Sequence, residues 1–285
     1  MERRILSFAG SVVAIEYEGP VAAGVIDFLF GALPEPEDPP GEVMVTYTLS
    51  RGDGPDRLIL GRDGIQIYEG NGRGFAADLL LARSSSDLAE KSTGGLLFHA
   101  AALELNGGML LAPAGTGDGK STFTLWMTTR GYGYLTDEAV FVPEGSDVAY
   151  PFIRPLSLKK PSRSIMAASF DFTENADQVL PSSESDLIRP SALTRASGKT
   201  ELPVRHIIFP RYRPEASFSW EPLTPARTGQ ELMRCLVNAR NLPGHGFSEA
   251  VRLARGSKGY RATYSHLDQI AGKIDEVLGE TGPGA

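Results

Sequence analysis

The sequence predicts an α/β protein with a smaller N-terminal domain and a larger C-terminal domain. Strand-like and helix-like segments alternate along the whole chain, which is typical of that class. The length of 285 residues is enough for one large domain or two small ones. With 41% hydrophobic and 22% charged residues, the composition excludes wholesale disorder, a collagen repeat and a disulfide scaffold.

The predicted N-terminal α/β domain covers residues 1–92. Residues 4–17 alternate loosely between apolar and polar side chains, and a helix is predicted over 20–33 because proline is favoured in a first helical turn. Turns rich in glycine and aspartate then separate three short strands, which predicts an antiparallel meander over 43–49, 57–60 and 64–68. An amphipathic helix over 75–89 completes the predicted domain.

The remaining residues, 93–285, are predicted to form a second α/β domain. Apolar strands interrupted by glycine loops are predicted over 96–105, 108–112, 139–142, 154–158, 204–209 and 260–264. Helices are predicted over 120–129, 230–238, 247–254 and 266–278. Irregular segments are predicted at the proline-rich residues 34–41, over 161–200 with one short helix, and at a frayed end over 280–285.

The most informative stretch of the chain is residues 109–125. It passes from an apolar strand through a glycine-rich loop into a helix, as the P-loop pattern G-x-x-x-x-G-K-[ST] requires, and only the first glycine of the pattern is replaced, by Ala114. Loop glycines permit positive φ, so that backbone N–H groups can surround phosphate oxygens at the N-terminus of the helix. The sequence therefore predicts a nucleotide site formed by Ala114, Gly115, Thr116, Gly117, Asp118, Gly119, Lys120, Ser121 and Thr122.

The residue types at this site indicate ATP and Mg²⁺. Lys120 is predicted to reach the β- and γ-phosphates, and the Ser121 hydroxyl is predicted to bind Mg²⁺, which prefers oxygen ligands. Beyond the helix, Asp137 and Glu138 interrupt an apolar strand, so that one acid can bind the metal while the other accepts the proton of an attacking hydroxyl. Each feature also has a structural alternative. The loop can be a glycine-rich turn with an exposed lysine, and the acidic pair can be a polar turn between two short strands.

The order of these motifs resembles a known family. Over residues 96–142 they look like the catalytic domain of HPr serine kinase/phosphorylase and its divergent HPr-kinase-related relatives. The resemblance implies a P-loop-containing, HPr-kinase-like C-terminal domain. The residues that carry it are Phe98-His99-Ala100-Ala101-Ala102-Leu103, Gly107-Gly108-Met109-Leu110-Leu111, Gly117-Asp118-Gly119-Lys120-Ser121-Thr122, Gly131-Tyr132 and Asp137-Glu138.

The resemblance implies a role for each loop residue that matches the family. It implies that His99 lies beside the phosphates, that Thr116 replaces the serine of the family's loop, and that Lys120 and Ser121 contact the nucleotide and Mg²⁺. The alternative for His99 is structural, because a histidine on an apolar strand is more often a hydrogen-bonded core residue.

The acidic pair and one arginine complete the implied catalytic set. The resemblance implies that Asp137 is the base and that Glu138, an aspartate in the family, is the second acid near the metal. Arg154 is what remains of the family's Glu-x-Arg-Gly segment, and an arginine at a strand end can stabilise a transferring phosphoryl group. The absence of that segment's glutamate puts the phosphorylase half-reaction and HPr itself as the substrate in doubt.

These features predict an ATP- and Mg²⁺-dependent kinase, a transferase that moves the γ-phosphoryl group to a hydroxyl on Ser or Thr of a peptide or protein. A small-molecule hydroxyl is the nearest variant, and the N-terminal domain is the predicted site of substrate or partner recognition. A nucleotide-binding regulatory module without phosphoryl transfer is the alternative class. The acidic pair counts against it, because a sensor needs no proton acceptor.

Charge, cysteine content and hydropathy predict the setting of the protein. A formal net charge of -7 repels polyanions, so nucleic acid is not an expected partner. The single cysteine, Cys235, fits a reducing compartment, and no apolar run approaches the ~20 residues of a membrane helix. We therefore expect a cytoplasmic protein with no membrane partner, and the sequence leaves a homo-oligomer open.

Overall fold

The computed structural model describes residues 1–36, 41–54, 56–193, 199 and 201–279, and it has a mixed α/β architecture. The chain divides into two units. The first comprises Met1–Thr93, Ile153–Ala167 and Asp171–Ala192, and the second comprises Gly94–Phe152, Ala168–Phe170 and Leu193–Ala285. The chain therefore returns to the first unit after residue 152, whereas the sequence predicts one boundary near residue 92.

The elements follow the chain in this order. The strands are β1 (Glu2–Phe8), β2 (Ser11–Tyr17), β3 (Val45–Arg51), β4 (Arg57–Arg62), β5 (Ile65–Asn71), β6 (Gly95–Leu105), β7 (Gly108–Pro113), β8 (Gly133–Thr136), β9 (Ala139–Pro143), β10 (Val148–Pro151), β11 (Leu156–Lys159), β12 (Val179–Pro181), β13 (Ser185–Ile188), β14 (Leu202–Tyr212), β15 (Ser219–Leu223) and β16 (Lys258–Tyr264). The α-helices are α1 (Pro20–Phe30), α2 (Arg73–Glu90), α3 (Lys120–Thr129), α4 (Lys160–Met166), α5 (Pro225–Cys235), α6 (Phe247–Gly256) and α7 (Asp268–Gly279).

The first unit contains a five-stranded sheet with the order β1-β2-β3-β4-β5. Strands β1 and β2 form a hairpin whose turn residues, Ala9 and Gly10, have positive φ. Strands β2 and β3 are parallel, because α1 provides the crossover that parallel strands need. Strands β3, β4 and β5 confirm the predicted antiparallel meander. The apolar core of the unit includes Leu6, Ile15, Leu49, Leu58, Leu60, Leu80 and Leu81.

A three-stranded antiparallel sheet, with the order β11-β13-β12, completes the first unit. The predicted loop over 161–200 is therefore wrong in part: the segment contains a short helix, as expected, but also strands β12 and β13. These strands pack on α2, where Asp78 accepts hydrogen bonds from Ser182 and Ser185 at 3.0 and 2.9 Å. A Cβ added at Gly74 would collide with the carbonyl oxygen of Pro181, so close packing explains why this segment belongs to the first unit.

The second unit is built on one large sheet with the order β10-β9-β6-β7-β14-β16-β15, and β8 also pairs with β6. Strand β14 runs parallel to β7 and to β16, while the pairs on either side are antiparallel. Alternate residues of β6, Phe98, Ala100 and Ala102, pack in one core cluster with Leu232 of α5 and Leu253 of α6. This alternation is the period of a strand with two covered faces.

Several predicted bounds in this unit are confirmed and others are corrected. The predicted helix over 120–129 is confirmed as α3. Helix α5 starts five residues before the predicted 230, because Thr224 caps it by accepting from the Arg227 N–H at 3.4 Å and Pro225 occupies its first turn. Strand β15 was not predicted, and the predicted strand over 154–158 begins only at Leu156.

Some expectations cannot be compared with the fold. Residues 37–40 of the predicted loop at 34–41, residues 194–198 and 200, and the predicted frayed end over 280–285 lie outside the described residues. None of the helices in the described ranges is long and apolar enough to cross a membrane.

Candidate functional site

The glycine-rich loop lies at the C-terminal end of β7. Strand β7 ends at Pro113 and α3 begins at Lys120, so residues 114–119 form the loop. The neighbouring strand β14 runs parallel to β7, with Ile207 opposite Leu111, and continues to Tyr212. In open α/β sheets, ligands bind at the C-terminal ends of parallel strands, where loops and helix N-termini converge.

Two of the three loop glycines use the conformational freedom that the sequence predicts. Gly117 and Gly119 have φ of 91° and 85°, and Gly119 is the left-handed N-cap of α3, whereas Gly115 does not have positive φ. A Cβ on Gly119 would lie only 3.0 Å from the Cβ of Tyr212. The backbone conformation and the packing against β14 therefore both require glycine at 119.

Asp118 ties the loop to itself and to the end of β14. Its Oδ2 accepts the Gly115 N–H at 3.1 Å, and its Oδ1 accepts from Arg213 Nη1 at 2.7 Å. Its backbone carbonyl accepts the Tyr212 N–H at 3.1 Å. Arg213 is missing from the predicted site, because only the pairing of β14 with β7 brings a residue so distant in sequence to the loop.

His99 connects Lys120 to Glu138. It lies on β6 opposite Ala139, which brings it next to Glu138. The Lys120 Nζ is 3.2 Å from His99 Nε2, and Glu138 Oε1 is 3.1 Å from His99 Nδ1. A lysine ammonium can only donate, so Nε2 accepts and the Nδ1–H donates to Glu138. This assignment places a ring hydrogen of His99 on Nδ1, between the imidazole and Glu138.

Asp137 contacts Ser121, which follows Lys120 in the P-loop pattern, and Ser121 Oγ donates to Asp137 Oδ2 at 2.9 Å.

 Asp137 is 1% exposed, and the Tyr134 hydroxyl lies 3.5 Å from its Oδ1. Strands β8 and β9 pair with successive parts of β6, and the two acids occupy the interruption between them, as the sequence predicts. Adjacent carboxylates are thereby directed to different partners, Asp137 to Ser121 and Glu138 to His99.

The other predicted site residues have varied surroundings. Ala114 is buried, Thr116 is exposed, and Thr122 lies in the first turn of α3. Arg154 belongs to the first unit, where it is 5% exposed. Its Nε donates to the Pro155 carbonyl at 3.3 Å and its Nη1 to Ser85 Oγ at 3.4 Å. These contacts of Arg154 lie within the first unit.

The side chains around the loop can contribute to a metal site but do not form a complete one. In the described part of the chain, no group of three or more His, Cys, Asp and Glu residues could hold a metal ion. Ser121, Asp137 and Glu138 offer oxygen ligands beside the loop. Such a partial oxygen set fits Mg²⁺, which usually keeps several waters and shares phosphate oxygens with the protein.

Comparison with known proteins gives no family for the chain. No family model matches it, and no curated protein matches it. The resemblance to HPr-kinase-related proteins therefore stays a prediction, and the site is interpreted from its own residues and contacts.

Proposed function

We propose that the protein is an ATP- and Mg²⁺-dependent kinase of the HPr-kinase-like type, which transfers the γ-phosphoryl group to a Ser or Thr hydroxyl of a peptide or protein. The observation that carries this proposal is the contact between Ser121 Oγ and Asp137 Oδ2 at 2.9 Å. It joins the P-loop serine to an acid from a separate strand pair. A glycine-rich turn with only a structural role needs no such acid.

Lys120 and the start of α3 would hold the phosphates. The first turn of α3 contains no acidic residue, so no carboxylate there offsets the positive end of the helix dipole. The left-handed Gly119 directs the chain into that turn, and the N-terminus of a helix favours anions. Lys120 is 8% exposed and contacts His99, which supports a fixed position for its ammonium group.

Ser121 and Asp137 would hold Mg²⁺ together with phosphate oxygens and water. When bound, the metal supplies positive charge that stabilises the transferring phosphoryl group. The serine hydroxyl can bind a metal through an oxygen lone pair while it still donates its hydrogen to Asp137. The contact with Asp137 therefore leaves the Ser121 oxygen able to bind a metal.

The contacts favour a division of roles between the acids that differs from the one the resemblance implies. Asp137 is 1% exposed and bonded to Ser121, which suits it to orient a metal-binding hydroxyl. The Glu138 side chain is 34% exposed, so an acceptor hydroxyl can approach it more easily. We therefore assign proton acceptance to Glu138, and metal binding together with Ser121 to Asp137.

A labelling experiment tests the proposed function. The protein is incubated with γ-labelled ATP, Mg²⁺ and a panel of candidate peptides and proteins, and labelled residues are identified by mass spectrometry. We expect label on Ser or Thr with the parent protein and none with Lys120→Ala. ATP with Mg²⁺ should also raise the thermal midpoint of the parent, because it binds the folded state, and Lys120→Ala should lose most of that shift.

The matched control is Lys91→Ala, which removes an exposed lysine of the first unit and should respond like the parent. Equal thermal responses of Lys120→Ala and the parent would show that the loop assignment is wrong. A normal thermal response without labelling of any acceptor, a small-molecule hydroxyl included, would favour the regulatory module instead.

A further inference from the structure

A cleft of the second unit lies at the end of its large sheet opposite the glycine loop. Its volume is about 470 Å³, and its lining includes Asn106, Arg205, His206, Arg255, Ser257 and Lys258. Strands β7, β14 and β16 are parallel, and His206 of β14 is opposite both Leu110 and Lys258. The cleft therefore lies toward the N-terminal ends of these strands, whereas the glycine loop follows the C-terminal end of β7.

The cleft and the glycine loop lie at opposite ends of β7 and are well separated. Strand β7 has six residues, which span roughly 20 Å at about 3.3 Å per residue. The turn before β7, at Asn106, borders the cleft, and the loop after Pro113 leads to Lys120. A molecule in the cleft would therefore be distinct from the nucleotide and from the hydroxyl acceptor of the proposed kinase.

Three exposed cations in this cleft have no acidic partner. Arg205, Arg255 and Lys258 form no ion pair with any residue in the described ranges. Elsewhere in the second unit, arginines commonly pair with carboxylates, as do Arg130, Arg211, Arg213, Arg227, Arg234, Arg252 and Arg261. In a chain with a formal charge of -7, a cleft lined by one sign of charge concentrates a positive potential.

His206 is the buried polar group of the cleft. It is 8% exposed, and its Nδ1 has no hydrogen-bond partner among the residues that the structure describes. Its ring stacks on Tyr260, with centroids 6.5 Å apart and an interplanar angle of 19°. Burial and, second, the charge of Lys258 lower the pKa of His206. A negative charge in the cleft would offset the effect of Lys258.

We propose that this cleft binds a small organic polyanion through carboxylate or phosphate oxygens. The guanidinium groups of Arg205 and Arg255 offer paired N–H donors that match such oxygens, and Lys258 adds a compact positive charge. Asn106 also lines the cleft, and its amide can offer an uncharged donor. The volume lies in the range of about 300–1,000 Å³ typical of small-molecule sites.

Imidazole NMR tests the proposal, because His206 reports on the cleft and His99 reports on the glycine loop. The chain has four histidines, so their signals can be assigned by substitution. Citrate and inorganic phosphate are titrated separately, with sodium chloride at matched ionic strength as the control. We expect saturable movement of the His206 signals and a rise in the pKa of His206 with the anion that the cleft accepts. The response to each arm distinguishes a carboxylate ligand from a phosphate ligand.

Substitutions in the cleft should weaken this binding. We expect Arg205→Gln and Lys258→Gln each to raise the dissociation constant about tenfold or more, since each removes a charge-assisted contact. Arg240→Gln is the charge-matched control, because Arg240 is exposed and does not line the cleft. Arg205→Lys, which keeps the charge but loses the paired donors, provides a second variant should a Gln variant fail to fold.

Two results would overturn the proposal. One is His206 signals that respond to neither citrate nor phosphate beyond the chloride control, whether or not His99 moves. The other is a dissociation constant for the anion that is the same in the folded variants of Arg205 and Lys258 as in the parent protein. Both results are independent of the proposed kinase activity, because movement of His99 and the Lys120→Ala variant report on the loop separately.

Discussion

Two charged clusters of the second unit contain acids with different kinds of partner: arginines around Glu231, and a hydroxyl and an imidazole at the glycine loop. In the first, Glu231 of α5 accepts hydrogen bonds from Arg211 at 3.0 Å, Arg261 at 2.6 Å and Arg234 at 3.3 Å. Burial raises the pKa of Glu231, but the hydrogen bond from Arg261 and the charges of the three arginines outweigh it and hold that pKa below its ordinary value. We call these four residues the arginine cluster.

In the glycine-loop site, the two acids contact side chains that can turn toward a ligand. Asp137 accepts from the Ser121 hydroxyl, and Glu138 contacts the His99 imidazole, which also contacts Lys120. A hydroxyl and an imidazole can each turn toward a ligand, whereas a carboxylate enclosed by guanidinium groups is fully engaged. The comparison separates a cluster of closed ion pairs from the site at which we propose that a metal and phosphates bind.

The largest expected effect is on phosphoryl transfer. Glu138→Gln removes the proposed proton acceptor and should lower single-turnover transfer by roughly 10²–10⁴-fold, with ATP affinity retained. Asp137→Asn should instead raise the Mg²⁺ concentration needed for binding and transfer. The measurements are single-turnover transfer to the acceptor found by labelling, and ATP calorimetry across a Mg²⁺ series.

The control for this comparison is Glu144→Gln, which removes an exposed acid outside the site and should transfer like the parent. Parental transfer by Glu138→Gln together with a large loss in Asp137→Asn would restore the sequence-based assignment, in which Asp137 is the base.

The arginine cluster should affect stability rather than transfer. Glu231→Gln leaves three arginines around a neutral amide and should lower the free energy of unfolding by about 2 kcal/mol, below the 3–5 kcal/mol of a fully buried pair because the arginines are partly exposed. Urea unfolding measures this loss. A lower ATP-induced thermal shift, with unchanged stability, would show that the cluster belongs to the nucleotide site.

The same cluster predicts a pH dependence. Since the pKa of Glu231 is lower in the folded state than in the unfolded state, its stabilisation is present above the unfolded value of about 4.3 and is lost as pH falls through the folded value. The stability difference between the parent and Glu231→Gln should therefore be constant near pH 7 and shrink below about pH 5. Urea unfolding at several pH values checks this, and a difference that grows on acidification would contradict it.

The smallest predicted effect compares two loop glycines. Both have positive φ, so Gly117→Ala should cost about 1 kcal/mol of stability through backbone strain alone. Gly119→Ala should cost more, because its Cβ would lie 3.0 Å from Tyr212 Cβ whereas nothing lies within 4 Å of a Cβ at Gly117. Urea unfolding of both variants measures the difference. Equal losses would show that the contact with Tyr212 is relieved by a small movement of β14.

The sequence predicts best where local pattern determines structure. The bounds of α3 and the antiparallel pairing of the meander strands are confirmed, because helix periodicity, apolar alternation and turn residues act over a few neighbouring positions. The sequence also predicts the interruption of the strand at Asp137 and Glu138, because two charged residues stand in an apolar run.

Features that depend on distant pairing escape such prediction. Strands β12 and β13 have three and four residues, too few for a periodic signal, and they are stabilised by contacts with α2. Arg213 reaches Asp118 only because β14 lies beside β7. The contact of His99 with Glu138 likewise follows from the register of β6 with β9, which no local pattern specifies.

The interrupted first unit has a consequence for biosynthesis. Domains generally fold as units while the chain emerges from the ribosome, N-terminal segments first. Here the first 93 residues emerge without β11, β12 and β13, so Asp78 lacks its two serine partners until residue 185 has been made. All of residues 94–152, with the glycine loop and both acids, are synthesised in the meantime. The first unit is thus started first on the ribosome but cannot be completed until much of the second has been translated.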